Sequence, residues 1–213
     1  MRRTSGRVFA TVLFGLTMAM TAAAGPAVAE IQTGSPSELG LSFTPDGNAG
    51  QCVGTRSQWT PSPDWTNKVL IDTDSRSGGC LLAFGVRDLA GNLPGLALSY
   101  RWEASPGANA GQCGNQGLFP LPVTPQQTLG STIKVDTDSR QGYCDLTFFL
   151  SGRTDVALDV RFWPETVAGK DQCVNSLPQD EWHSVRPDAP ITIGMDTDSR
   201  QGGCYFSLRL RQF

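Results

Sequence analysis

Two aspartates one residue apart, with an arginine and a cysteine close behind, occur three times in this chain. Asp72-Thr73-Asp74-Ser75-Arg76-Ser77-Gly78-Gly79-Cys80 returns as Asp136 through Cys144, with Gln141 and Tyr143 changed. It returns again as Asp196 through Cys204, with Gln201 and Gly203 in those places. Carboxylates at i and i+2 of a strand point to the same side, and paired hard oxygens suit a calcium ion. Calcium takes about six to eight oxygens, however, and each copy supplies two from its aspartates. An EF-hand loop would also need a third oxygen ligand where Arg76, Arg140 and Arg200 stand. The stronger expectation is therefore structural: each arginine bridges an aspartate of Asp72/Asp74, Asp136/Asp138 or Asp196/Asp198, a task suited to the planar guanidinium. No cofactor is expected, and calcium is the metal alternative. The same nine side chains are also candidate ligand contacts.

The second group with chemical potential is aromatic. Trp59, Trp65, Trp163 and Trp182 stand beside polar or proline-rich residues, as in Trp59-Thr60-Pro61-Ser62-Pro63-Asp64-Trp65. Indole faces near loops stack on sugar rings, although they also close the ends of β bodies. Catalytic signatures are thin. His183 is the one histidine and has no counterpart in the other copies, and no Gly-x-Ser-x-Gly elbow accompanies it. No enzyme is expected.

The elements that position these residues follow from alternation. Cys80, Leu82, Phe84 and Val86 share one face after the first phrase, as do Cys144, Leu146, Phe148, Leu150 and Cys204, Phe206, Leu208, Leu210 after the others. Before the phrases, Val69 and Ile71, Ile133 and Val135, and Ile193 and Met195 alternate likewise. Such patterns are half-buried strands. With glycine available for the turn, each phrase is expected to form a β-hairpin pairing Asp74 with Gly79, with an acidic outer rim. A further alternating strand opens each unit, at Leu39–Phe43, Leu96–Trp102 and Val156–Phe162. The repeats run approximately over 36–92, 93–152 and 153–213, each about 60 residues long.

These features predict an all-β protein of about twelve strands. The repeats are expected to pack as one body closed with pseudo-threefold symmetry, β-trefoil-like or β-prism-like, because single units cannot bury their apolar faces. Three small domains in series is the alternative. Six cysteines fall two to a repeat, and the pairing that repeats is Cys52–Cys80, Cys113–Cys144 and Cys173–Cys204. Each such crosslink should stabilise by roughly 3.5 kcal/mol. Zinc is disfavoured, since there is no Cys-x-x-Cys and one histidine.

Residues 1–29 read as a secretory signal peptide: Arg2, Arg3 and Arg7 precede an apolar stretch, and Ala27-Val28-Ala29 fits the small-residue cleavage rule. Removing those three arginines takes the formal net charge from −3 to −6. Residues 30–213 are then a single all-β domain that is secreted, extracellular and free of the membrane, and too acidic for nucleic acid. Its expected role is multivalent binding of glycan or cell-surface polysaccharide through repeated loops. The alternative is a protein-binding module, such as an inhibitor of an extracellular hydrolase, using Thr60-Pro61-Ser62-Pro63 as a preorganised loop.

Overall fold

The structure, a computed structural model, describes residues 37–47, 50–54, 56–72, 78–136, 142–165, 173–174, 176–196 and 202–213. The described residues form sixteen strands and one short 3-10 turn at Ala110–Gln112, with no α-helix among them. The alternating patterns account for the longest strands. Inward residues Leu39, Leu41 and Phe43 are buried in β1 (Ser37–Asp46), and Leu82, Phe84 and Val86 in β5 (Gly79–Asp88). Leu98, Tyr100 and Trp102 do the same in β6 (Ala97–Ala104), Leu146, Phe148 and Leu150 in β11 (Tyr143–Ser151). Leu158, Val160 and Phe162 of β12 (Val156–Pro164) face Phe206, Leu208 and Leu210 of β16 (Gly203–Gln212) in register.

The shorter strands are β2 (Cys52–Val53), β3 (Arg56–Pro61), β4 (Val69–Asp72), β7 (Cys113–Gly114), β8 (Gly117–Leu121) and β9 (Val123–Thr124). The rest are β10 (Ile133–Asp136), β13 (Cys173–Val174), β14 (His183–Val185) and β15 (Ile191–Asp196). Three sheets result. The first runs β3-β1-β5-β10-β7, with β9 parallel to the end of β5. The second runs β8-β6-β11-β15-β13 and the third β14-β12-β16-β4-β2. None of the three closes on itself, so the body is all-β without being a single closed barrel.

One expectation is overturned here. The strands on either side of the repeated phrase do not pair with each other as a hairpin. β4 pairs with β16, whereas β5 pairs with β1 and β10. Likewise β10 joins the first sheet while β11 joins the second. The phrase therefore carries the chain from one sheet to the next. Gly79, expected opposite Asp74, instead lies opposite Asp136 and Asp46. A glycine-bearing turn permits a change of direction, but it does not choose the partner strand. Here the partner is chosen by burial: Val69 and Ile71 pack fully buried in register with Phe206 and Cys204. The flanks of the three phrases meet in rotation, with Asp72 opposite Gly203, Asp136 opposite Gly79, and Asp196 opposite Tyr143.

The disulfides follow the expected pairing, and each spans two sheets. Cys52–Cys80 ties β2 of the third sheet to β5 of the first. Cys113–Cys144 ties β7 of the first to β11 of the second, and Cys173–Cys204 ties β13 of the second to β16 of the third. Inside them one apolar cluster draws on all three sheets. Phe84 of the first sheet meets Tyr100 and Phe148 of the second edge to face, with ring centres 5.2 and 5.3 Å apart. The Tyr100 hydroxyl donates to the Ser131 carbonyl, and burial pushes its pKa up to about 12, so it stays a donor throughout the physiological range. Tryptophan at 102 is wholly buried, its indole N–H donating to the Gly114 carbonyl at 3.1 Å.

The disulfide loops are nearly equal, with sequence separations of 28, 31 and 31 residues. Chain entropy then predicts near-equal contributions. Replacing any one pair by alanines, such as Cys113→Ala with Cys144→Ala, should lower the unfolding free energy by about 3.5 kcal/mol in denaturant titration. A much smaller loss at one pair would show that the packing between those two sheets holds without its crosslink.

Candidate binding site

Outward positions of the third sheet are set by the same alternation that fills the core. On β12 they are Asp159, Arg161 and Trp163, and on β16 they are Tyr205, Ser207, Arg209 and Arg211. Register places Asp159 opposite Arg209, and Trp163 opposite Tyr205. On the far side of β12, Ser184 of β14 lies opposite Asp159. Beyond β16, the loop after β3 lays Trp65 against Arg209 through a single antiparallel bridge. That loop is pinned beneath: the Ser62 hydroxyl donates to the Leu210 carbonyl at 2.7 Å, and Thr66 and Leu208 bond each other twice.

Aromatic rings and cations then alternate across this face. The Lys68 ammonium lies 4.8 Å over the Tyr205 ring, which stacks on Trp163 at 5.4 Å. The Arg161 guanidinium lies 5.2 Å from Trp163 and 6.0 Å from Trp182. Arg209 sits 4.3 Å over Trp182, and Trp182 meets Trp65 edge to face at 6.3 Å. Each cation–π contact contributes about 0.5–1 kcal/mol at an exposed site, enough in series to hold the indoles in one arrangement. Trp65 remains 48 % exposed, with its outer side open to solvent. Beside it opens a cleft of about 390 Å³ lined by Val53, Gly54, Arg56, Trp65, Asn67, Lys68 and Tyr205.

Electrostatically the face is anchored by one buried carboxylate. Asp159 has no exposed side-chain surface, and it accepts from Arg209 at 2.8 Å, from Ser184 at 2.6 Å and from both Nε and Nη2 of Arg211. Burial by itself would raise its pKa, but the bonds from Arg211, Ser184 and Arg209 outweigh it and hold the carboxyl below its ordinary value. Arg161 is taken up by Asp180 at 2.6 Å.

The candidate residues read from the sequence divide. Trp65 and Trp182 come together on this face. Trp59 does not: it belongs to β3 of the first sheet and lies flat on glycine, so that a Cβ at Gly40 would fall 2.6 Å from its ring. Gly40 and Gly85 there leave the space that the indole fills. Asp136 and Asp196 are buried, at 9 % and 5 % exposure, rather than forming an exposed acidic rim. The reason is the crossover: each stands where its strand meets the start of another unit's strand, not at a free hairpin end. Asp74, Arg76, Asp138, Arg140, Asp198, Arg200 and the side chain of Asp72 lie outside the described residues, and with them the expected arginine–aspartate bridges. Among the described residues no three carboxylates, histidines or cysteines converge as a metal site. His183 is packed against Phe162 at 5.7 Å and donates through Nε2 to the Pro178 carbonyl at 2.6 Å, while the Ser184 hydroxyl goes to Asp159.

Arg56, Lys68, Asp159, Arg161, Tyr205 and Arg209 were not singled out by sequence reasoning. The outward phase of β12 and β16 marks four of them, but only the pairing of those strands brings their side chains onto one surface. No family model, curated protein or solved structure matches this chain.

Replacing Asp159 by asparagine leaves two guanidiniums without their counter-charge. Because they are themselves a quarter to a third exposed, the expected cost is about 2–3 kcal/mol, below that of breaking a wholly buried pair. The wild-type contribution is fully present above the unfolded carboxylate pKa of about 3.9, and it is lost as pH falls through the lower folded value. Unfolding titrations from neutral to acid pH should therefore show a steeper acid decline for the wild type than for Asp159→Asn; parallel curves would contradict this account of the anchor.

Proposed function

We propose that this chain is a secreted, non-enzymatic glycan-binding protein that engages sugar through the aromatic face of its third sheet. The carrying observation is Trp65, nearly half exposed yet held at one edge of a packed ring-and-guanidinium series beside an open cleft. A preorganised indole offers a flat apolar surface to the C–H face of a pyranose with little ordering cost. Asn67 and Arg56 in the same cleft supply the directional hydrogen bonds that a sugar's hydroxyls need. Export is supported by the signal-peptide pattern of residues 1–29 and by the three disulfides. Among the described residues no helix is long and apolar enough to cross a membrane.

The proposal extends to architecture: three sequence repeats arranged about a pseudo-threefold axis, prism-like in that each sheet faces outward on its own side. Support comes from the common strand plan, in which every sheet takes a strand from another repeat. Multivalency would need equivalent sites on the other sheets. Those faces present different chemistry, Trp59 over Gly40 on the first, and Arg101 5.3 Å over Phe149 on the second. Binding stoichiometry is thus the direct measure of valency.

The test is a glycan array followed by calorimetry on the hits. Wild type should bind without releasing new reducing ends, and Trp65→Ala should weaken binding by about tenfold or more, the loss expected of one stacked ring and its ordering. The protein-binding alternative rests on the loop Thr60–Pro63, pinned through Ser62 to Ser37 and Leu210. Array silence together with capture of a secreted hydrolase that is inhibited on binding would move the conclusion there.

A further inference from the structure

We infer that the cleft beside Trp65 selects acidic sugars, taking the carboxylate or sulfate of an anionic polysaccharide between Arg56 and Lys68. This rests on the glycan reading of the same site and adds the charge of its ligand. The argument begins with which cations of the face are already neutralised. Arg209 and Arg211 share Asp159, and Arg161 holds Asp180. Arg56 and Lys68 have no carboxylate partner among the described residues.

Arg56 is positioned rather than loose. Its Nε donates to the Gly54 carbonyl at 2.5 Å and its Nη2 to the Lys68 carbonyl at 3.2 Å, across the edge pair β2 and β4. Its other N–H groups have no partner among the described residues, and a guanidinium so fixed presents them as a ready fork for a planar anion. Gly54 makes this possible. It has a φ of +83°, and a Cβ there would stand 2.5 Å from Arg56 Nη2. Lys68 lines the same cleft with its ammonium over Tyr205, where the ring favours charge without removing hydrogen-bonding capacity. Asp64, four residues before Lys68, is exposed next to Trp65 and does not line the cleft.

Two cations without a counter-charge among the described residues, flanking an exposed indole, match a sugar that carries both a flat apolar face and a negative group. They fit a neutral sugar less well, because desolvating two charges against hydroxyls alone is poorly compensated. The chain's net charge is negative overall, so its field does not draw anions to it at long range. Selection must come from these two side chains at contact distance, which makes it removable by substitution.

The experiment is calorimetric titration of the full chain with three probes: an oligogalacturonide carrying carboxylates, a heparin-derived oligosaccharide carrying sulfates, and a neutral cello-oligosaccharide. At low salt at least one acidic probe should bind about tenfold or more tightly than the neutral one, as one or two charge-assisted hydrogen bonds allow. The tighter of the two acidic probes names the anion. Arg56→Gln with Lys68→Gln should abolish that preference, so that the variant binds acidic and neutral probes about equally. Should loss of Arg56 disturb the β2 edge, seen as a lowered Tm, Lys68→Gln alone keeps the test, because its ammonium bonds to no oxygen of the described residues. Equal affinity for acidic and neutral probes, or an acidic preference untouched by these variants, overturns the inference. Neutral sugar bound as tightly as the acidic probes, and lost with Trp65→Ala, would leave the glycan reading intact while overturning this one; silence with all three probes overturns both.

Discussion

Everything in this structure depends on strands passing between sheets at the repeated phrase. A hairpin would have left each repeat self-contained, with its apolar face turned to solvent until another repeat docked on it. Instead β4, β10 and β15 pair with β16, β5 and β11. Their inward residues, Val69, Ile71, Ile133, Val135, Ile193 and Met195, are fully buried as a result. The disulfides act at the same joints, each tying a short edge strand of one sheet to a long strand of another. Crosslinks within a sheet would restrict only neighbours already held by backbone bonds. Crosslinks between sheets restrict the degrees of freedom that side-chain packing alone must otherwise hold.

This arrangement separates stability from surface chemistry. The inner faces are alike in all three sheets, because they pack into one cluster and tolerate little change in volume. The outer faces have no such constraint and have diverged. One carries an indole lying on two glycines, another an arginine over phenylalanine, and the third a series of four aromatic side chains interleaved with cations. Asp159 is the point where scaffold and site meet: a carboxylate drawn inside by burial, paid for by three donors that it in turn holds in place above the sheet.

Much of the fold was legible in residue order. Period-two alternation marked the inward faces of β1, β5, β6, β11, β12 and β16, and those residues are buried. Threefold recurrence selected one disulfide pairing from many, and it is the pairing found. The candidate site was legible only in part. Trp65 and Trp182 stood out by residue type, yet nothing local distinguishes them from Trp59, which has the same kind of neighbours. What separates them is that Gly40 and Gly85 lie beneath Trp59 and accept its ring, whereas Trp65 rests on a strand from the far end of the chain.

The sequence by itself thus determined which residues face inward, which cysteines pair, and that the chain is built of strands. Those properties follow from local periodicity and from repetition, both of which act along the chain. Only the tertiary structure decided which strand lies beside which, and therefore that the repeated phrase is a crossover and that Asp136 and Asp196 are buried. It also decided that Arg56, Lys68 and Trp65 share a cleft with Tyr205, some 140 residues further along the chain. The physical reason is that a strand's hydrogen-bonding edge is the same for every candidate partner. The choice among them is made by the burial of side chains from distant segments, and that sum exists only once the whole chain has packed.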